Sequence, residues 1–423
     1  MKIGILSQWY DPEPGPAALP AVYAREFASR GHEVSVLTGF PNYPDGILYD
    51  GYRIRRRAAE QRDGVSIDRV ALYPNHSSSA LGRIANYSSF AVSATVSGRR
   101  ALRGLDALWV YNSPATVSLP LLTHTRGGRV PYFLHVQDLW PDSLVSSGMM
   151  PGGAIGSLAT SAIQRTVALT ERRAASIGVI SKSVRDVILE RNPRLDPDRI
   201  VYAPNPTNEA LFRPLSEIRE LLGLGEHGPA VVDVMYAGAI GEVQGLDAVL
   251  DAALLLRDEP NIRITLVGDG ISRARLERRV ADEDIANVRF LGRVQQHEIP
   301  ELMAAAQIQL VSLADAPFLA HTTPSKISTL LASGAAIIGQ IAGDGARLIG
   351  ESGAGTTVRP GDARGLRDAI VQMARSGPGH WADLGARGRT FYARNLSAAS
   401  TADVILDSLA ARIGIDRAGG RQR

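Results

Sequence analysis

The sequence predicts an α/β protein built from two consecutive doubly wound domains. Three observations carry this. The 423-residue chain is too long for one hydrophobic core and suits two domains of roughly 200 residues each. Short β-branched runs alternate with helical patterns along its length, the signature of parallel sheets joined by crossover helices. A proline-rich connector, Tyr202-Ala203-Pro204-Asn205-Pro206, interrupts that alternation near the middle.

In the first half a strand at Ile3–Leu6 leads into the Pro/Gly loop Asp11-Pro12-Glu13-Pro14-Gly15-Pro16. A helix over Leu19–Arg30 stops at Gly31, and Glu33–Thr38 is the next strand. This is a βαβ unit whose loop lies at the carboxyl end of its first strand, where doubly wound sheets bind ligands. Further strands are expected at Ala107–Tyr111, Tyr132–Val136, Ile177–Ile180 and Arg199–Tyr202. After the connector, strands are expected at Val231–Tyr236, Arg263–Val267, Val288–Phe290, Ile308–Val311 and Ala336–Gly339. Helices are expected at Leu246–Leu256, Ser272–Asp282, Ile299–Ala306 and Lys326–Ala332, with the last helices from about Arg364. Two such Rossmann-like domains in tandem would set the carboxyl ends of both sheets around one central cleft.

Composition narrows the function. Apolar residues at 45% and charged residues at 21% are ordinary for a globular protein. The absence of cysteine excludes disulfides, thiolate metal sites and cysteine nucleophiles, and fits a reducing cytoplasm. The N-terminal apolar run is too short for a signal-peptide core, and no stretch of about 18 uncharged apolar residues occurs, so a soluble or peripheral protein is expected. Residues 1–206 carry 23 Lys and Arg against 17 Asp and Glu, whereas the remainder is mildly acidic. Either the first half meets an anionic partner or its basic surface is merely solvated. Lysine is confined to Lys2, Lys182 and Lys326. After a strand, Gly238-Ala239-Ile240-Gly241 lacks the Gly-x-Gly-x-x-Gly spacing, and no phosphate-loop Gly-x-x-x-x-Gly-Lys-Ser/Thr, His-Glu-x-x-His or Gly-x-Ser-x-Gly motif is present. No nucleic-acid partner is expected.

Several ordered blocks narrow it further. Gly31-His32-Glu33-Val34 precedes Thr38-Gly39-Phe40-Pro41-Asn42-Tyr43-Pro44-Asp45-Gly46. Tyr49–Arg53, Tyr73-Pro74 and Arg83 with Ser89-Phe90 follow in register. His135-Val136-Gln137-Asp138-Leu139-Trp140-Pro141-Asp142 is the most distinctive block. Asn205-Pro206-Thr207-Asn208, Phe212-Arg213-Pro214, Gly238–Leu246 and Pro324-Ser325-Lys326 complete the series. Over nearly its whole length the chain resembles retaining glycosyltransferases of family 4, which have the GT-B fold. Within them it looks most like the subgroup that transfers sugars such as fucosamine in O-antigen and capsule assembly. The resemblance implies an acceptor-binding domain over 1–206 and a nucleotide-sugar-binding domain over 207–399. A C-terminal helix at about 400–415 would pack back on the first domain.

The residues themselves suggest a donor site. A diphosphate binds well to free backbone N–H groups at helix starts and Gly-rich turns. Three turns qualify: Gly15, Gly238 to Gly241, and Thr322-Thr323-Pro324-Ser325 entering a helix. Lys326 would add a point charge; its alternative, a solvated first-turn lysine, would oppose the helix dipole, which favours a phosphate partner. The resemblance implies that Gly292-Arg293-Val294 packs on the base, with an exposed loop arginine as the alternative for Arg293. It also implies a histidine near the sugar in the loop holding His135, Gln137 and Asp138. Alternation puts His135 and Gln137 on one strand face, and which of them meets the donor is open.

The chain departs from the pattern elsewhere. The family's Glu-x7-Glu pair, on the sugar and on the ribose, is replaced by His321 and Thr329. Its Arg and Lys against the diphosphate are replaced by Ala239 and Gln244. Thr329 suits a donor whose pentose lacks the 2′-hydroxyl, as in dTDP-sugars, while a UDP-sugar with a substitute contact is the plainer alternative.

Family likeness implies retention of configuration, no divalent metal, and no cofactor beyond the nucleotide-diphosphate sugar as substrate. Asp196-Pro197-Asp198 and Asp282-Glu283-Asp284 fit a metal-binding pattern only superficially. Front-face transfer is expected, the leaving diphosphate taking the acceptor proton. The acceptor is either lipid-linked or a soluble small molecule. Arg53, Arg55, Arg56, Arg57, Arg83, Arg99, Arg100 and Arg103, with the apolar segment 81–96, suit peripheral contact with the inner face of the plasma membrane. A non-catalytic nucleotide-sugar-binding subunit is the competing reading, and an epimerase is a weaker one.

Overall fold

The structure is a computed structural model that describes residues 1–76, 79–125, 130–140, 153–224 and 231–419. Pro141 and Asp142 of the distinctive first-domain block lie outside these residues, as do 420–423 of the tail. The chain divides into two compact units, Met1–Pro204 with Ala398–Arg423, and Asn205–Ser397.

The first unit opens with Lys2–Leu6 (β1), Leu19–Ser29 (α1) and Glu33–Gly39 (β2). Leu19, Tyr23 and Phe27 recur every fourth residue of α1 and are buried, which glues the helix to the sheet. A hairpin not foreseen above follows, Arg57–Arg62 (β3) and Val65–Val70 (β4). Its Asp63-Gly64 turn has positive φ at both residues, as a two-residue hairpin requires. Then come Ala80–Ser97 (α2), Ala107–Asn112 (β5), Ser118–His124 (α3), Tyr132–Val136 (β6), Gly153–Arg173 (α4), Ser176–Val179 (β7), Val184–Arg191 (α5) and Ile200–Tyr202 (β8). Strand order is β3-β4-β2-β1-β5-β6-β7-β8, with β3 alone antiparallel to its neighbour. The winding therefore reverses between β1 and β5.

The second unit holds Leu215–Leu221 (α6), Val232–Ala237 (β9), Asp247–Leu255 (α7), Ile262–Val267 (β10), Arg273–Asp282 (α8), Val288–Gly292 (β11) and Ile299–Ala305 (α9). It continues with Ile308–Ser312 (β12), Ser325–Ser333 (α10), Ala336–Gln340 (β13), Gly343–Ser352 (α11), Gly355–Val358 (β14) and Ala363–Asn395 (α12). Its sheet is wholly parallel, in the order β11-β10-β9-β12-β13-β14, and reverses between β9 and β12. The strand β14 is also absent from the sequence reading, because Gly355-Thr356-Thr357-Val358 has too few apolar residues to stand out. Ala398–Gly419 (α13) returns to the first unit, where Ala402, Ile405, Leu406 and Leu409 enter the core beside Tyr23, Phe27 and Trp109.

Candidate functional site

In the second unit the chain leaves β9 at the reversal point, where doubly wound sheets bind ligands, and turns at Gly238. Two glycine turns pack back to back there. A Cβ on Gly268 would lie 1.9 Å from the Gly238 carbonyl oxygen, so only glycine permits this approach. The turns are stitched by Gly238 N–H to Val267 O (2.9 Å) and Ile240 N–H to Asp269 O (2.9 Å). Gln244 caps the loop, its Oε1 accepting from Gly241 N–H at 3.0 Å, and so holds the turn in shape.

Lys326 enters this turn from the first residues of α10. A side chain on Gly238 would collide with its Nζ at 2.8 Å, so the bare glycine makes room for the ammonium group. Nζ lies 3.8 Å from the centre of the Tyr236 ring, a cation–π contact, while the Tyr236 hydroxyl donates to Ala239 O at 2.7 Å. Among the described residues no carboxylate pairs with Lys326, and burial pulls its pKa down to about 7. A cation without a carboxylate partner at a Gly-rich turn and helix start can hold an anion.

Thr323 and Pro324, half-buried, and Ser325, exposed, form the turn ahead of Lys326. One turn further along α10, Thr329 Oγ1 lies 2.8 Å from Thr207 Oγ1, and the Thr207 amide donates to the Tyr392 hydroxyl at 3.1 Å. Arg293 is exposed beside half-buried Val294, just past Gly292. His321 is exposed as well. The structure thus brings Gly238, Gly241, Gln244 and Lys326 together around one turn, with Thr329 on the same helix as Lys326.

Both acidic tripeptides make local contacts. Asp196 caps its own short helical turn by accepting from Asp198 N–H, and Glu283 is paired with Arg279. Among the described residues no three His, Asp or Glu side chains gather as a metal-ligand set.

In the first unit Gly15 has φ +63° and open space around it, at the start of a helical turn leading into α1. His135 requires a correction. It is wholly buried in β6 among Tyr23, Trp109 and Phe133, and its Nε2 lies 2.7 Å from Ala203 O. Burial lowers its pKa to about 4, so the ring stays neutral and donates to that carbonyl. Its place is in the core. The two residues that follow the strand, Gln137 and Asp138, are half-buried at its carboxyl end. Asp138 Oδ2 accepts from Ser113 Oγ at 2.9 Å, and burial raises the carboxyl's pKa against that bond. Arg57 drops out of the basic cluster, since its Nε donates to Asp68 at 2.7 Å.

Sequence reasoning missed an aromatic group at the same end of the sheet. Trp9, just past β1, packs against Tyr43 at 5.7 Å and against His76, Tyr87 and Tyr111 at 6.3 Å between ring centres. Buried Glu13 anchors the loops that carry it, accepting the amides of Tyr10 (3.0 Å), Asn42 (2.7 Å) and Tyr43 (2.8 Å). The signal was the aromatic content of the Gln8-Trp9-Tyr10 and Pro41-Asn42-Tyr43 turns, which alternation does not register.

Two doubly wound units of this kind make up the GT-B architecture, and solved glycosyltransferases share it. HepE of Anabaena, in complex with UDP and glucose, matches with a TM-score of 0.62 at 17% identity, covering 97% of this chain and 99% of that one. Sucrose-phosphate synthase from Thermosynechococcus elongatus matches with a TM-score of 0.65 at 16% identity, covering 98% and 99%. Residues 15–206 match the glycosyl transferase 4-like domain, and residues 232–376 match the glycosyl transferases group 1 domain. The chain is a glycosyltransferase assembled from these two domains. Among its relatives is WcaI of Escherichia coli (strain K12), named as a colanic acid biosynthesis glycosyl transferase. The two are 29% identical over 350 residues, 79% of this chain and 82% of WcaI.

Proposed function

We propose that this enzyme transfers a sugar from a nucleoside-diphosphate donor to a hydroxyl acceptor in cell-surface polysaccharide assembly, with retention of configuration and without a metal. The observation that carries the reading is the unpaired ammonium of Lys326 in the Gly238 turn. A diphosphate would complete that turn and restore the charge that burial disfavours. HepE, solved with UDP and glucose, and WcaI, named for colanic acid, support the donor class and the setting. On this reading the Gly238 to Gly241 amides and Lys326 hold the leaving diphosphate, and Val294 and Arg293 flank the base. The diphosphate takes the acceptor proton in a front-face transfer, and preorganised donors stabilise its developing charge. The ordered motifs of the first domain favour an amino sugar of the fucosamine type.

A panel of nucleotide sugars, read by nucleotide release, tests this. One UDP- or dTDP-sugar should be turned over, and activity should survive EDTA. Lys326→Ala should weaken UDP binding by about 1.5–3 kcal/mol, the range of a charge-assisted hydrogen bond. Parent and variant binding UDP equally would remove Lys326 from the site. Loss of activity in EDTA with rescue by manganese would overturn metal independence. Binding without turnover of any donor would favour a non-catalytic sugar-nucleotide-binding subunit.

A further inference from the structure

The turn that carries Gly238 and Gly241 is held from behind by the ends of two strands. Val243, Gln244 and Gly245 follow it, and each of their carbonyl oxygens is taken by a different donor. Ala314 N–H donates to Val243 O at 2.9 Å, Ser312 Oγ to Gln244 O at 2.6 Å, and Gln340 Nε2 to Gly245 O at 3.2 Å. Gln340 Nε2 also donates to Ser312 Oγ at 3.0 Å, which ties two of these bonds together. Gly245, at φ +60°, runs so close that a Cβ there would stand 2.9 Å from the Ala314 backbone.

Ser312 and Gln340 are paired residues at the carboxyl ends of β12 and β13. Alternation puts them on the face that Ile308, Leu310, Ala336 and Ile338 present to the core. Both are wholly buried, and Gln340 Oε1 has no hydrogen-bond partner among the described residues. A buried amide with one end unsatisfied costs free energy that an apolar side chain of the same shape avoids. Packing therefore does not account for this glutamine, whereas the two bonds of its Nε2 do. Those bonds lead to the turn. Through Ser312 they reach the main chain of Gln244, whose side chain accepts from Gly241 N–H at 3.0 Å. Lys326 comes to the same turn on the segment that leaves β12 at Ser312. One pair of side chains thus anchors the glycine turn to the strand end from which the lysine's segment departs.

We infer that Gln340, together with Ser312, is a positioning residue for the donor, holding the Gly238 turn where it and Lys326 grip one diphosphate together. The inference rests on the donor reading above and adds to it residues that touch no substrate. Both act through Gln244 and Gly245.

Gln340→Leu keeps most of the bulk and removes both bonds. UDP and dTDP affinities, measured calorimetrically on the full chain, should fall about tenfold or more, the scale on which a misplaced group acts. Thermal unfolding without ligand should stay within about 4 °C of the parent. Ser312→Ala should weaken nucleotide binding in the same direction. A carboxylic acid can donate one hydrogen bond and a carboxylate none, so Gln340→Glu should lose UDP more steeply than the parent as pH rises. A double-mutant cycle separates positioning from support of the fold. With Lys326→Ala already present, Gln340→Leu should cost less than it does alone, by about threefold or more. Losses that multiply in full, or a loss that appears only with a lowered unfolding midpoint, would mark Gln340 as structural and overturn the inference. A parent that binds UDP or dTDP while Gln340→Leu binds it equally well would overturn the inference alone. A parent that binds neither nucleotide would overturn the donor reading, and the inference with it.

Discussion

Lys326 has a folded-state pKa of about 7 against an ordinary value of 10.5. Between those values the unfolded chain holds the extra proton, so the ligand-free enzyme should gain stability as pH rises through that window. A bound diphosphate raises the pKa again, so binding takes up a proton. UDP affinity measured calorimetrically should therefore fall as pH rises above about 7, by up to tenfold per unit, and Lys326→Arg should flatten the profile. A flat profile in the parent would show that the lysine does not meet the phosphates. Thr329 offers a second measurement. Its hydroxyl is engaged with Thr207 and carries no charge, whereas a glutamate could accept from both ribose hydroxyls at about 1.5–3 kcal/mol each. We expect dTDP to bind within about tenfold of UDP, and Thr329→Glu to shift the ratio toward UDP. A larger preference for UDP, unmoved by that substitution, would end the deoxyribose reading. Lys326 was legible from sequence because lysine is so rare in this chain. His135 was not, because strand alternation assigns a face but not whether that face meets substrate or core.

The helix α2 presents an unusual outer face. Leu81, Ile84, Ala85, Ser88, Val92 and Val96 are exposed along one stripe, none of them charged, while Asn86, Phe90, Ala91 and Ala94 face inward. Exposed Arg99, Arg100 and Arg103 follow its C-terminal end. Such a face suits an anionic lipid surface, which we propose it meets. Vesicles containing anionic lipid should carry the protein upward in flotation, with binding that fades as salt is added. The double variant Leu81→Asp, Val92→Asp should abolish this while changing stability by no more than about 0.5 kcal/mol. Absence of binding at low salt would favour a soluble acceptor. No helix among the described residues is long and apolar enough to cross a membrane. The segment's apolarity was plain in the sequence. What composition could not show was that its outward stripe is apolar, since Leu81–Val96 is apolar on both faces and gives little period. The β3–β4 hairpin was missed for the opposite reason, because Arg57–Arg62 faces solvent and has no apolar alternation.

The two-sheet organisation was readable because buried parallel strands are continuous apolar runs that stand out between helices. Edge elements and the aromatic group around Trp9 were not, since both depend on which loops meet after folding. The connector shows how tightly one such meeting can be held. His135 binds Ala203 O, and Tyr23 and Thr401 hydroxyls donate to Pro204 O at 3.3 and 3.2 Å. Emptying this packed site with His135→Ala should lower stability by about 3 kcal/mol in denaturant unfolding, as for a buried aromatic, while leaving UDP affinity intact. Unchanged stability with lost turnover would return His135 to the chemistry. Thr401 belongs to α13, and that helix carries a further consequence. The first unit draws core residues from both ends of the chain, with the whole second unit inserted between them. On a ribosome, the residues that close the first core emerge only after about 200 intervening ones, a wait of roughly 10–40 s at ordinary synthesis rates. During that interval the face of the nascent first sheet that awaits Ile405 and Leu409 is bare, so the inserted unit can complete its fold before the unit that began first.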